Sequence, residues 1–299
     1  MSIRGALSRF VRFVVPHSWL RALFPSRFVY TPADRRFVVI KDPIAGKPIS
    51  MLLREDSMME RFLISRGLYG EWERESLKIW AQLAKQSHTI IDIGANTGVY
   101  ALLAKNNNPT SVVVAIEPID VNHDVLTRNI RENGFDIITE KVALSDREGM
   151  ATMFMLKDRL NYMTSVNENR YVGHPEIQGE AEVVEISVPL KPFTYVCDLH
   201  KLTQVDLVKI DVEGHEITVL NGMMATIQEC KPVILIEVIG DDHARQLDAM
   251  FRKLDYRFVS IDEIGVSKVV DHLWDNNHHN FLICHERTIQ YLRGKGLVT

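Results

Sequence analysis

Four residues whose types and spacing could do chemistry, Asp92, Gly94, Asn96 and Gly98, fall in one short stretch, TIIDIGANTGVYALL, between two apolar runs. Glycines there let the backbone turn sharply and come close to a ligand that a side chain would hold off. A dinucleotide fingerprint would read G-x-G-x-x-G and rest a pyrophosphate on the helix start. The spacing here is G-x-x-x-G, and Asp92 in front of it is a poor neighbour for a diphosphate. An acid beside a glycine turn suits a cationic ligand better. A second acid, Glu117, closes the next apolar run, SVVVAIEP. It stands close to the position where nucleotide-binding folds hold a ribose diol through a carboxylate.

S-adenosylmethionine meets both conditions, because it carries an ammonium and a sulfonium but no phosphate. Further along, VDLVKIDVEGHE puts Asp211 at a strand end and His215 in the first turn of a helix after Gly214. The positive end of a helix dipole disfavours an imidazolium, so His215 is expected to be neutral and able to take a proton. Asp211 could orient that ring, or act as the base itself if burial raises its pKa. Lys209 shares a strand face with Asp211, and a structural ion pair is its expected role. Glu237 ends ILIEVIG and is expected beside Asp211, where the two carboxylates could hold magnesium. No third ligand is evident, although Asp241 and Asp242 are near in sequence. His272, His278, His279 and His285 lack a zinc-motif spacing and read as solvated loop histidines.

These residues need a scaffold that brings strand ends together. The β-branched runs at TIIDIG, SVVVAIEP, VDLVKID and KPVILIEV alternate with helical segments, which predicts a doubly wound, mostly parallel sheet with helices on both faces. Ligands in such sheets settle at the carboxyl ends of the strands, where the strand order reverses. The last two strands, YRFVSID and NFLICHE, have only a short structureless segment between them and are expected to pair antiparallel. MATMFML and AEVVEISVPL are expected to form a hairpin. It would leave a long polar loop whose Asn161, Tyr162, Thr164 and Ser165 are candidates to touch an acceptor.

Residues 1–86 read as an N-terminal cap, with a hairpin (RFVVIKD, PISMLL) and a lead-in helix (GEWERESLKIWAQLAKQ). Residues 87–299 read as the main domain, with the hairpin and lid loop at 143–192. The first 30 residues carry five arginines and no acid, and wind into a basic amphipathic helix. That segment is expected to pack on the main domain or to touch a membrane surface peripherally. A formal charge of −4 over 299 residues gives no basic field, so nucleic acid is not an expected partner. Three scattered cysteines suggest neither a disulfide framework nor a thiolate zinc site, which fits a reducing cytoplasm.

IIDIGANTGVYALLA, AIEP, VALSDREG and, most specifically, VDLVKIDVEGHEITVLNGM resemble the FkbM family of class I S-adenosylmethionine-dependent methyltransferases, over roughly residues 70–285. The resemblance implies a Rossmann-like seven-stranded sheet with an antiparallel last strand, and O-methylation of a hydroxyl on a sugar, a polysaccharide or another small molecule. It implies cofactor contacts at Asp92, Gly94, Asn96, Gly98 and Glu117. Val142 stands where many class I enzymes have an Asp near the adenine amine, so that contact would pass to backbone, to Ser145 or elsewhere. Two other functions compete: a cofactor-binding module without catalysis, and N-methylation of a macromolecule. No Asn/Asp-Pro-Pro-aromatic motif or basic stripe supports the second.

Overall fold

Residues of each central strand alternate between two apolar layers, and that alternation builds the protein around one sheet. In the computed structural model, which describes residues 37–52, 57–156, 164–165, 183–275 and 280–299, Ile90, Val113, Leu207 and Leu235 face one core. Their neighbours Ile91, Val114, Val208 and Ile236 face the other. Strands buried on both faces read as unbroken hydrophobic runs, which is why no polar alternation marks them.

The sheet has eight strands. Five of them, from the edge strand β5 (Ile138–Glu140) through β4 (Val112–Ile116), β3 (Thr89–Ile93) and β10 (Leu207–Ile210) to β11 (Val233–Glu237), lie side by side in that order and run parallel. β14 (Asn280–Cys284) inserts antiparallel between β11 and β12 (Arg257–Ser260), as expected for the last two strands. Their connection is not structureless. It holds β13 (Lys268–Val270), which extends the sheet by an edge strand on β12. Three residues of KVV are too short a signal for sequence periodicity to catch.

The order reverses between β3 and β10, so the crevice at their carboxyl ends is the ligand position of an open α/β sheet. Helices α3 (Val99–Asn107) and α4 (Asp120–Asn133) follow β3 and β4, and α6 (Glu216–Cys230) and α7 (Asp241–Arg252) follow β10 and β11. A second sheet of four strands pairs β7 (Gly149–Leu156) with β9 (Val183–Pro192) antiparallel, as the sequence predicts. It also pairs β6 (Ala143–Ser145) with β9 in parallel, and β8 (Thr164–Ser165) with β7. Gly222 lets β6 press on α6, since a Cβ there would lie 2.0 Å from the Ser145 carbonyl oxygen. α5 (Phe193–His200) leads from β9 toward β10, and α8 (Glu286–Gly294) closes the chain.

The predicted N-terminal hairpin is present as β1 (Phe37–Ile40) and β2 (Ile49–Leu52). It shares the apolar core with α2 (Arg74–Ala84) and with one sheet face. Two side-chain amides on α4 satisfy the free edge of β2. Asn133 accepts from the Ser50 amide at 2.8 Å and donates to its carbonyl at 2.7 Å, while Asn129 accepts from Leu52 at 2.7 Å. α1 (Met58–Arg66), which apolar spacing had not indicated, is tied over the site where Thr97 donates to the buried Glu60 at 2.8 Å. The basic segment at 1–30, with Asn161, Tyr162, His278 and His279, lies outside the described residues. No helix among the described residues is long and apolar enough to cross a membrane.

Candidate active site

β3 ends at Ile93 and the chain turns at once. Gly94, at φ 77°, and Ala95 both donate to the Ile116 carbonyl on β4, at 2.9 and 3.0 Å. A Cβ on Gly94 would lie 1.8 Å from the Asp211 carbonyl oxygen. This glycine is required by the neighbouring strand of its own chain, not only by a ligand. Asn96 takes the left-handed region at φ 50°, and Gly98, at φ 95°, caps α3. Gly98 backs onto Leu126 and stands behind the cavity wall.

A cavity of about 290 Å³ opens at these strand ends. Asp92, Gly94, Asn96 and Glu117 line it, as do Asp211 and His215. Of the residues that the sequence assigns to cofactor binding and catalysis, therefore, only Gly98 and Ser145 fall outside the lining. Ser145 is buried under α6, with Oγ 3.4 Å from His215 Nε2. The wall around Val142, where the adenine contact was expected, is apolar and built by Ile119, Val142 and Leu144.

Asp92 is 1% exposed. Its Oδ2 accepts from the Ala101 amide at 2.9 Å, fastening β3 to α3, while Oδ1 is buried without a partner. Burial raises its pKa to about 6 against the pull of Lys209. Glu117 accepts two backbone amides, Asn96 at 2.8 Å and Ile119 at 2.9 Å, yet burial still raises its pKa to about 7. Desolvation disfavours the charged form unless a ligand compensates it. An orphaned buried carboxylate on one side of a glycine turn and a fixed carboxylate on the other fit the ammonium and the ribose diol of S-adenosylmethionine.

The other end of the cavity is shaped by residues that only the fold brings together. The ion pair expected of Lys209 is there: Nζ lies 2.7 Å from Asp211 Oδ2 and 4.5 Å from the centre of the Tyr100 ring. Burial alone would lower the Lys209 pKa, but Asp211, Glu73 and Asp92 together raise it. Asp211 thus pairs with Lys209, and the contact expected between Asp211 and the His215 ring is replaced by Ser145. His215 is the N-cap of α6, one position before the helix, and burial lowers its pKa, which keeps the ring neutral.

Sequence reasoning missed Glu73, Tyr100, Trp72 and Glu213. Tyr100 donates to Glu73 at 2.6 Å, and burial raises the Glu73 pKa to about 7. Glu73 sits at φ 42°, immediately before α2, so its side chain turns into the cavity instead of following the helix. One carboxylate oxygen each of Asp211, Glu213 and Glu237 lie within 4.8 Å of one another. Glu213, not Asp241 or Asp242, is the third acid beside the expected pair. Asp241 and Asp242 instead begin α7. His272 contacts Arg252 and Asp248, and His285 packs on Tyr256, both away from the cavity lining. All three cysteines are free.

The sequence profile of the methyltransferase FkbM domain matches residues 92–258, more than half of the chain. A curated relative, Methyltransferase 1 of Beauveria bassiana, is 28% identical over 148 residues, covering 45% of this chain and 57% of that protein. The hexuronic acid methyltransferase AglP of Haloferax volcanii is 26% identical over 163 residues, covering 54% of this chain and 61% of its own length. The chain thus spans about three fifths of the length of these relatives. Among solved structures, the FkbM methyltransferase of Methylobacillus flagellatus overlays 82% of this chain and 56% of that one, at 14% identity and a TM-score of 0.42. None of these comparisons supports a magnesium ion at Asp211 and Glu237. The strand order, the cofactor turn and the profile match lead to one conclusion: the chain belongs to the FkbM family of S-adenosylmethionine-dependent methyltransferases.

Proposed function

We propose that the chain transfers the methyl group of S-adenosylmethionine to a hydroxyl oxygen of a sugar or another hydroxylated small molecule. The observation that carries this reading is the continuity of one cavity from Asp92 and Glu117 to Asp211 and His215. Asp92 would meet the cofactor ammonium and Glu117 its ribose hydroxyls, with Gly94 and Asn96 forming the turn between them. Gly98 supports that turn from behind, and Ser145 acts through His215.

Bound S-adenosylmethionine supplies a methyl on a positively charged sulfur; as the acceptor oxygen takes it, the carbon–sulfur bond breaks, sulfur keeps the electron pair and the oxygen gives up its proton. His215, held neutral by burial, takes that proton. Asp211, fixed by Lys209, accepts a hydrogen bond from a donor next to the reacting hydroxyl and so orients the acceptor oxygen. A carboxylate acceptor, as in the hexuronic acid of the Haloferax volcanii relative, is opposed by the acids at this end of the cavity.

The first test is calorimetric titration of S-adenosylhomocysteine into the wild-type chain, Asp92→Ala and Glu117→Ala. Micromolar binding, about 8 kcal/mol, is expected for the wild type and weaker binding for both variants. Radiolabelled cofactor is then offered with neutral, amino and acidic sugars. Label that is stable to mild alkali and placed on oxygen rather than nitrogen by NMR of the product marks an ether, and His215→Ala is expected to slow its formation by about 100-fold or more. Label released by alkali as methanol, or found only in protein or nucleic acid, would overturn the O-methylation reading.

A further inference from the structure

We propose that the acceptor carries an ammonium group beside the hydroxyl that is methylated, and that Asp211, Glu213 and Glu237 hold it, so the substrate class is an amino sugar or amino alcohol. The inference rests on the methyltransferase reading above and adds the charge of its acceptor. At the end of the cavity away from Glu117, the described lining has four carboxylates, Glu73, Asp211, Glu213 and Glu237, and a single ammonium, Lys209. That ammonium is committed to Asp211 Oδ2 at 2.7 Å and to the face of Tyr100.

Glu237 is the second, separate sign of a ligand. Its Oε2 is sealed from water and has no hydrogen-bond partner, although the residue lines the cavity. A buried polar atom of this kind costs free energy unless something meets it. Burial first, and then the charges of Asp211 and Glu213, push the Glu237 pKa well up. An anionic acceptor would add to this repulsion. A neutral polyol would leave most of it in place. An ammonium answers it with three N–H donors and a positive charge.

The surroundings favour an organic cation over a metal ion. Lys209 already holds Asp211 Oδ2, which takes one oxygen of the three acids out of reach as a metal ligand. Trp72, which meets Tyr100 edge to face at 6.3 Å between ring centres, lines the same end and adds an aromatic wall suited to a sugar or an ammonium.

The test uses sinefungin, a cofactor analogue in which an ammonium-bearing carbon replaces the methylsulfonium. Calorimetry on the full chain is expected to show it binding about tenfold or more tightly than S-adenosylhomocysteine. In Glu237→Gln that preference is expected to shrink to about threefold or less, with the S-adenosylhomocysteine affinity unchanged. If Glu237→Gln does not fold, Glu213→Gln serves in its place. With S-adenosylhomocysteine bound, ligand-observed NMR is expected to rank glucosamine above glucose and glucose above glucuronate. Equal affinity for the two cofactor analogues would overturn the proposal, as would a preference untouched by the variants or glucuronate binding as well as glucosamine. Magnesium chloride that binds the wild type but not Glu237→Gln, and erases the preference, would assign the acids to a metal and overturn it too. Failure of the wild type to bind S-adenosylhomocysteine is a different result, since it removes the methyltransferase reading and this proposal with it.

Discussion

Lowering the pH from 8 to 5.5 should weaken cofactor binding while stabilising the free protein, because the same two carboxylates act in opposite directions. Burial raises Glu117 to about 7 and Asp92 to about 6. A ligand that needs both ionised meets them so at pH 8. At pH 5.5, by those values, Glu117 is protonated in about 97% of molecules and Asp92 in about three quarters. The product of the two penalties is about 100-fold in Kd, or ~2.7 kcal/mol. Glu117→Gln should retain only the Asp92 share, about fourfold.

The sign for folding is reversed. Both folded pKa values lie above the unfolded ones, so the folded chain binds more protons between about pH 4 and 7, and its stability rises as pH falls through that window. Calorimetry of S-adenosylhomocysteine across the range, in buffers of different ionisation enthalpy, measures both Kd and the protons released. A Kd constant within about twofold from pH 5.5 to 8, with no proton release, would refute the argument that these buried acids are charged by the ligand.

Lys209→Met leaves Asp211, Glu73 and Asp92 without their shared cation. Urea unfolding at pH 7.5 should show a loss of ~2–4 kcal/mol, below the full cost of a broken buried pair because Asp211 keeps 29% of its side-chain surface in water. A loss under about 0.5 kcal/mol would mean the ion pair does not hold the site together. Gly94→Ala places a Cβ against the Asp211 carbonyl oxygen at a positive φ, so cofactor binding should vanish in calorimetry and the melting temperature should fall. Wild-type affinity in that variant would show that the turn is looser than described. Glu216, fully buried, accepts from the Val212 and Gly214 amides at 3.2 and 3.1 Å. Glu216→Ala should therefore speed hydrogen exchange at both amides by about tenfold or more, and unchanged exchange would remove Glu216 as the clasp of this turn.

What the sequence made legible is local. Asp92, Gly94 and Asn96 lie at one strand end and its turn, and Glu117 closes the next strand, so a short stretch was enough to bring them to one cavity. The antiparallel pairing of β12 with β14 followed from the shortness of the chain between them. What stayed hidden depends on contacts across the chain. Tyr100 looks like a helix residue facing the core until Glu73, 27 positions earlier, turns out to accept its hydroxyl proton. Glu213 reads as a turn residue, and only its φ of 57° and the arrival of β11 bring it beside Asp211 and Glu237. Ser145, offered as one of several sources of an adenine contact, ends β6 in the second sheet, where it is pressed against α6 and stays out of the cavity lining.

The start of α2 is held from far away. Glu263, in the turn between β12 and β13, accepts from the Glu75 amide at 2.7 Å and from the Ser76 amide at 3.3 Å, and the Ser76 hydroxyl donates to it as well. It therefore neutralises the free amides of the helix that follows Trp72 and Glu73 in the cavity wall. The partners are separated by 188 residues. At about 5–20 residues per second on the ribosome, α2 emerges roughly 10–40 s before its cap exists. The cofactor turn at 92–98 can assemble as soon as β4 has been made, whereas the wall beside it waits for almost the whole chain. A nascent chain stalled before residue 263 would thus present a half-built pocket, with the 92–98 turn formed and the start of α2 uncapped.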